Sequence, residues 1–207
     1  FSKSLLLGFI MGLACLIRPT EVFAATIFVF WKADSFSSLK ERFSFLLKSY
    51  KHLLIMALVA IALWIPQFLF WKYKTGSYFY FSYPGERFFW NDPQIINILF
   101  SYRKGWFVYS PLILLAFIGF FFMKDELKKS RIVLVSFILI TIYVLSCWWD
   151  WHFGGCFGAR GFVQYTAFLA IPIAGLTNHI VNLKNKYTNF VQALFFIVVF
   201  SGICLNI

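Results

Sequence analysis

The sequence predicts an all-α, polytopic transmembrane helix bundle, with about five full spans plus a broken or re-entrant N-terminal helix pair. Three observations predict it. The chain is 61% hydrophobic and only 13% charged, with a mean hydropathy of +0.77, whereas a soluble domain is typically about 45–50% apolar and 25% charged. Apolar runs near the length of a membrane crossing recur along the chain. The loops between them carry most of the basic residues, which accounts for the net charge of +11 as a positive-inside bias. No run of Lys and Arg is dense enough for a nucleic-acid patch, so nucleic acid is excluded as a partner.

The first stretch is unusual. Leu5–Ile17 is apolar, Arg18-Pro19-Thr20-Glu21 interrupts it, and Val22–Trp31 is apolar again. At about 1.5 Å per residue each arm is only about 15–20 Å long, too short for a hydrocarbon core about 30 Å thick. The pattern fits either one bent helix with Arg18 near its middle or a V with both ends on the cytoplasmic side. Pro19 disfavours helix at Arg18, and Thr20 is placed to cap the helix that follows. On both readings Arg18 and Glu21 lie at membrane depth, where an ionisable side chain marks a site or a paired partner.

Segment 35–52 comes next. Phe36, Leu39, Phe43, Leu46 and Leu47 recur at helical spacing, which predicts an amphipathic helix along the membrane surface. Five stretches then qualify as spans: Leu53–Trp71, Trp106–Met123, Ile132–Trp149, Phe162–Thr177 and Asn189–Asn206. Alternation puts the basic segments 32–52, 124–131 and 178–188 on one side, the cytoplasmic one. Loops 72–105 and 150–161 fall on the outer face. The whole of 1–207 reads as a single transmembrane domain, and as part of a longer chain.

Loop 150–161 and its flanks hold the densest chemistry: Trp148-Trp149-Asp150-Trp151-His152-Phe153-Gly154-Gly155-Cys156-Phe157-Gly158-Ala159-Arg160-Gly161. Free backbone N–H groups and Arg160, just before a helix start, suit an anion. Trp149 and Trp151 suit a sugar ring or the headgroup level. Asp150 and His152 suit a divalent cation or the positioning of a hydroxyl, and no other metal or cofactor is indicated. A zinc site from Cys147, His152 and Cys156 lacks a fourth ligand and a usual spacing. A Cys147–Cys156 disulfide is open in an oxidising compartment. In the longer outer loop, Arg103 and Lys104 are cations on the face where positive charge is disfavoured, and they suit a phosphate. The bland alternative is snorkelling to headgroups. Asp92-Pro93 reads as a helix start. Arg18, Glu21, Arg103, Lys104, Trp149, Asp150, Trp151, His152 and Arg160 thus form the candidate set for an amphiphile with an anionic head and a lipid tail. No nucleotide-binding glycine motif, nucleophile elbow or HExxH is present.

Three segments resemble bacterial GT-C glycosyltransferases, the superfamily of the protein O-mannosyltransferases and the aminoarabinose transferase of lipid A. They are Gly12-Leu13-Ala14-Cys15-Leu16-Ile17-Arg18-Pro19-Thr20, Phe100–Pro111 and Trp151–Arg160. The resemblance runs from about residue 5 to 175 in the family's order. It implies transfer of a sugar from a polyprenyl-phosphate donor to an acceptor at the outer face of the bacterial inner membrane. Membrane lipid and the lipid-linked sugar are then the partners. It places the catalytic acidic residue upstream of Phe1, so residues 1–207 alone are expected to be inactive. It gives Arg18 a role near the carrier phosphate, although Arg18-Pro19 replaces the more familiar Lys-Gly. Two other readings compete. One is a transporter or flippase for a lipid-linked or anionic solute, in which broken helices with intramembrane charge recur. The other is a structural membrane subunit.

Overall fold

In the computed structural model, which describes residues 1–33, 35–81, 83–184 and 186–204, every regular element is helical. The one extended pairing among them is an isolated antiparallel bridge between Phe88 and Trp148. The chain divides into two compact units, Phe1–Glu86 and Arg87–Ile207.

The first unit is built on two parallel helices. Helix α1 spans Ser2–Ile17 and ends where Pro19 forces the preceding Arg18 out of helical geometry, to φ −148°, ψ 111°. A 3₁₀ turn over Pro19–Ala24 and a short α2, Ala25–Phe30, follow. Thr20 lies inside that turn and caps nothing. Its hydroxyl is out of solvent with no hydrogen-bond partner. Helix α3, Phe36–Lys48, starts at a reciprocal cap: Ser35 Oγ accepts from the Ser38 N–H, and Ser38 Oγ accepts from the Ser35 N–H. Its predicted apolar face is present, and Phe36, Phe43 and Leu47 on it are exposed. Helix α4, Tyr50–Thr75, ends at Gly76, whose left-handed φ of 78° closes the last turn onto Lys72.

Side chains separated by one helical turn set the register between α1 and α4. Ser4 meets His52 at 2.9 Å, Gly8 lies against Met56, and Gly12 against Ala60. Both residue numbers rise together, so the two helices run in the same direction. A methyl group added at Gly8 would come within 2.6 Å of the Met56 carbonyl, so hydrogen in place of a side chain is what lets the backbones meet. Parallel neighbours require the chain to return between them, and it does. Phe28 lines the same cavity as Ser4 and Leu7, and the Arg42 guanidinium donates to the Phe28 carbonyl at 2.8 and 3.1 Å. The chain therefore folds back after Arg18 rather than continuing as one bent helix.

The second unit has a conventional buried core. Its elements are α5, Ile95–Phe100; α6, Trp106–Tyr109; α7, Leu112–Phe122; α8, Asp125–Lys128; α9, Arg131–Ser146; a 3₁₀ turn, Arg160–Tyr165; α10, Thr166–Val181; and α11, Thr188–Cys204. The Trp106–Met123 stretch is therefore two helices rather than one. Pro111 has no N–H and disfavours helix at Ser110, so the chain breaks there. The stretch beginning at Phe162 opens as the 3₁₀ turn before α10. Leu205 and Asn206, the end of the fifth stretch, lie outside the described residues.

Helices α7 and α10 also run parallel. Gly119 lies against Pro172 and Met123 against Gly175, and a methyl at Gly119 would fall 2.1 Å from the Pro172 carbonyl. Helix α9 makes the return between them, burying Phe137 against Tyr165 and Phe168. Helix α11 runs back along α10, with Gln192 donating to the Ile180 carbonyl and Phe195 packed with Leu176.

This arrangement sorts the charges by end. Arg131 donates to the Met123 carbonyl, and Lys124 and Lys184 line one cavity at that end. The opposite end carries the Trp148–Gly161 loop and the start of α6, where Trp106 stacks on Phe162 at 4.0 Å between centroids, both fully buried. Among the described residues, only α4 is both long and apolar enough to cross a membrane by itself. Helices α1, α7, α9 and α11 are apolar but shorter.

Candidate functional site

Arg18 and Glu21 belong to the first unit, and the other seven candidate residues to the second. Arg18 is half-buried at the end of α1, where its carbonyl accepts from the Glu21 N–H. Glu21 lies within electrostatic reach of Cys15, one turn before the break.

In the second unit the loop after α9 folds back on itself. Phe153 adopts a left-handed φ of 55°, uncommon for a residue with a side chain. Its ring fills the space beside Gly161, where a methyl group would stand 2.8 Å from the ring edge. The turn thus packs Phe153 against Gly161, the residue before Phe162 of the Trp106–Phe162 stack. Asp150 and His152 meet on the near side, with Oδ1 and Nδ1 2.6 Å apart and the side chains 20% and 19% exposed. The two facing atoms are out of solvent, yet their angles are not those of a hydrogen bond. A close, shielded, imperfectly satisfied acid–imidazole pair is a reason to suspect chemistry rather than structure.

Burial pushes the His152 imidazole below its ordinary value of 6.5. The Asp150 carboxylate opposes that, and the positive charges of Arg103 and Lys104 reinforce it. The Arg103–Lys104 segment therefore approaches the loop closely enough to act on His152. Lys104 confirms the approach, with Nζ 3.8 Å from Cys156 Sγ. A tyrosine clamp holds this segment: Tyr109 donates to the Tyr102 carbonyl at 2.7 Å and packs edge-on against Phe157.

Several expectations need correction. Some of the backbone N–H groups suggested for an anion are already used. Those of Trp149, Phe153, Arg160 and Phe162 donate to Arg87, Asp150, Gly158 and Ala159 carbonyls. Arg160 is the first residue of the 3₁₀ turn and is exposed. Cys147 and Cys156 are free thiols, the first fully buried, and no disulfide joins them. Cys147, His152 and Cys156 do not gather into a zinc site. Among the described residues no group of three His, Cys, Asp or Glu side chains could hold a metal, so Asp150 and His152 offer a divalent cation two ligands.

The sequence reading missed a neighbouring feature. The segment after Arg87 pairs with the end of α9 through Phe89 N–H to Cys147 carbonyl, Gln94 N–H to Ser146 carbonyl, and the Phe88–Trp148 bridge. This pairing frames a cavity of about 210 Å³ walled by Trp149 and Trp151 together with Phe89, Asp92 and Gln94. Asp92 does not start a helix, since α5 begins at Ile95 with Gln94 before it.

No family model, no characterised protein and no solved structure matches the chain.

Proposed function

We propose that this chain is the helical membrane module of a glycosyltransferase that uses a polyprenyl-phosphate-linked sugar at the outer face of a bacterial inner membrane. The observation that carries this reading is the cluster at one end of the second unit. There the Asp150–His152 pair lies within the field of Arg103 and Lys104, at the end opposite the lysine-rich loops. The opposition of ends follows the positive-inside pattern. With α4 as one crossing and the shorter apolar helices as the others, the bundle is polytopic, and the folded-back Arg18 segment is re-entrant.

The chemistry assigns roles. Arg103 and Lys104 neutralise the carrier phosphate, the first as a planar fork and the second as a point charge. His152 is kept neutral by its burial and by the two cations. With Nδ1 turned to Asp150, its Nε2 is left to accept a hydrogen bond from an acceptor hydroxyl. Trp149 and Trp151 flank the sugar. Arg18 is the first unit's candidate for an anionic headgroup.

The test is sugar transfer by the full-length protein in vesicles, from a radiolabelled polyprenyl-phosphate sugar. Arg103→Gln and Lys104→Gln are each expected to reduce transfer about tenfold to a hundredfold. That range corresponds to losing a charge-assisted hydrogen bond worth about 1.5–3 kcal/mol. Lipid flipping without any transfer by the full-length protein would replace this reading with the transporter.

A further inference from the structure

We propose that the cavity between the 89–94 segment and the end of α9 is a binding subsite for a single pyranose ring. The idea rests on the transferase reading, which sets the sugar between Trp149 and Trp151, and names the cavity and the polar groups that would hold it. Three properties of the cavity point to a sugar.

The first is size. At about 210 Å³ it falls below the roughly 300–1,000 Å³ of pockets that take drug-sized ligands. Its walls match one ring-sized polar molecule better than a nucleotide or a lipid chain.

The second is the division of its lining. Phe89, Trp149 and Trp151 supply aromatic surface, while Asp92 and Gln94 supply polar groups. A pyranose has the matching division, with C–H groups on its faces and hydroxyls around its rim. C–H groups carry slight positive charge and favour the negative face of an aromatic ring.

The third is preorganisation. Gln94 is oriented from both sides: its Nε2 donates to Asp92 Oδ1 at 3.2 Å, and its Oε1 accepts from Asn97 Nδ2 at 2.8 Å. Asp92 spends one acceptor position on Gln94, of the about four that a carboxylate offers. The remaining positions suit vicinal hydroxyls. The backbone bonds from Phe89 to Cys147 and from Gln94 to Ser146, at 2.6 and 2.9 Å, hold the two walls together before any ligand arrives. Aromatic rings with a carboxylate also describe a cage for a quaternary ammonium ion. The cations at this end of the unit, Arg87, Arg103, Lys104 and Arg160, disfavour that occupant.

Saturation-transfer NMR on the full-length protein in nanodiscs tests the proposal. The probes are the methyl glycosides of glucose, mannose and N-acetylglucosamine, with farnesyl phosphate as a separate probe of the cationic pair and choline as a control. At least one glycoside is expected to bind, and Asp92→Asn, Gln94→Ala and Trp149→Ala to weaken it at least tenfold. Farnesyl phosphate binding by the same variants stays unchanged, which shows that they are folded. If no glycoside binds while farnesyl phosphate does, the subsite is wrong and the transferase reading survives. If a glycoside binds at this cavity and farnesyl phosphate does not bind, the subsite stands and the carrier-phosphate reading falls. Glycoside binding insensitive to all three substitutions, or choline binding in its place, overturns the subsite.

Discussion

Helices α4 and α9 have similar compositions and opposite surroundings. Of the 16 residues of α9, nine are buried. Of the 26 residues of α4, none is. Helix α9 is enclosed within its unit by α5, α10 and the turn before it. Helix α4 meets its own unit mainly along the Ser4–Gly8–Gly12 stripe and leaves Leu54, Leu58, Ile61, Ile65 and Leu69 outside. A monomeric soluble protein rarely exposes an apolar patch of more than a few hundred Å². A face this long and this apolar needs lipid or protein against it. The comparison teaches that hydropathy alone does not distinguish a helix left uncovered from one that meets its own chain. The spacing of small residues and the return of the backbone make that distinction.

The sharpest way to break this comparison is to enlarge the glycines of the two parallel pairs. Gly119→Leu is expected to disrupt the second unit outright, because its new side chain meets the Pro172 carbonyl and α9 and α11 prevent the helices from parting. Gly12→Leu is expected to cost less, about 1–3 kcal/mol. Its obstacles are Ala60 and the Leu63 side chain, and α4 has room to shift. The yield of monodisperse protein and its thermal unfolding in mild detergent rank the two. An equal effect would mean that α4 is held as tightly as α10.

Truncations sharpen the comparison next. Phe137→Ala leaves a cavity in a fully buried position. Its expected cost is about 3 kcal/mol, the low end of the usual range for such a change, since on the membrane reading transfer from lipid contributes less than transfer from water. Leu58→Ala, on the uncovered face of α4, is expected to change stability by less than about 0.5 kcal/mol. Reversible unfolding by steric trapping in bicelles measures both.

The smallest expected effect is electrostatic. His152 should titrate below 6.5, further down in Asp150→Asn and back up in Arg103→Gln, read from its imidazole C–H resonance. Its folded pKa lies below its unfolded one. The stability it contributes is therefore present above about pH 6.5 and is lost as the pH falls through the lowered value.

Much of this was legible in the sequence, for identifiable reasons. The apolar runs mark the helices because a helix of such composition has nowhere else to go. The Arg18-Pro19 break is written in the proline. Asp150 and His152 are two residues apart in a tight loop, so their meeting is a local matter. Pro111 carries the signal for the break between α6 and α7, but the apolar run across it masks that signal. The pairing of Phe89–Gln94 with Ser146–Trp149 joins segments more than fifty residues apart, and no local pattern announces it. For that reason Asp92 read as a helix start rather than as the wall of a cavity. The stripe of Ser4, Gly8 and Gly12 shows that something approaches α1 closely, but not that the visitor is α4 or that it runs parallel.

The parallel pairing of α1 and α4 has a consequence for biosynthesis. Ser4 and its partner His52 are 48 residues apart. At a synthesis rate of about 5–20 residues per second, α1 emerges roughly 2–10 s before the helix that fills its groove. During that interval a helix of 16 residues, too short to be secure in a bilayer, has an unfilled seam along one side. On the membrane reading proposed above, the translocation machinery or a chaperone would shelter it until translation delivers α4. A pause in translation between the two helices would prolong that exposure, and a faster passage would shorten it.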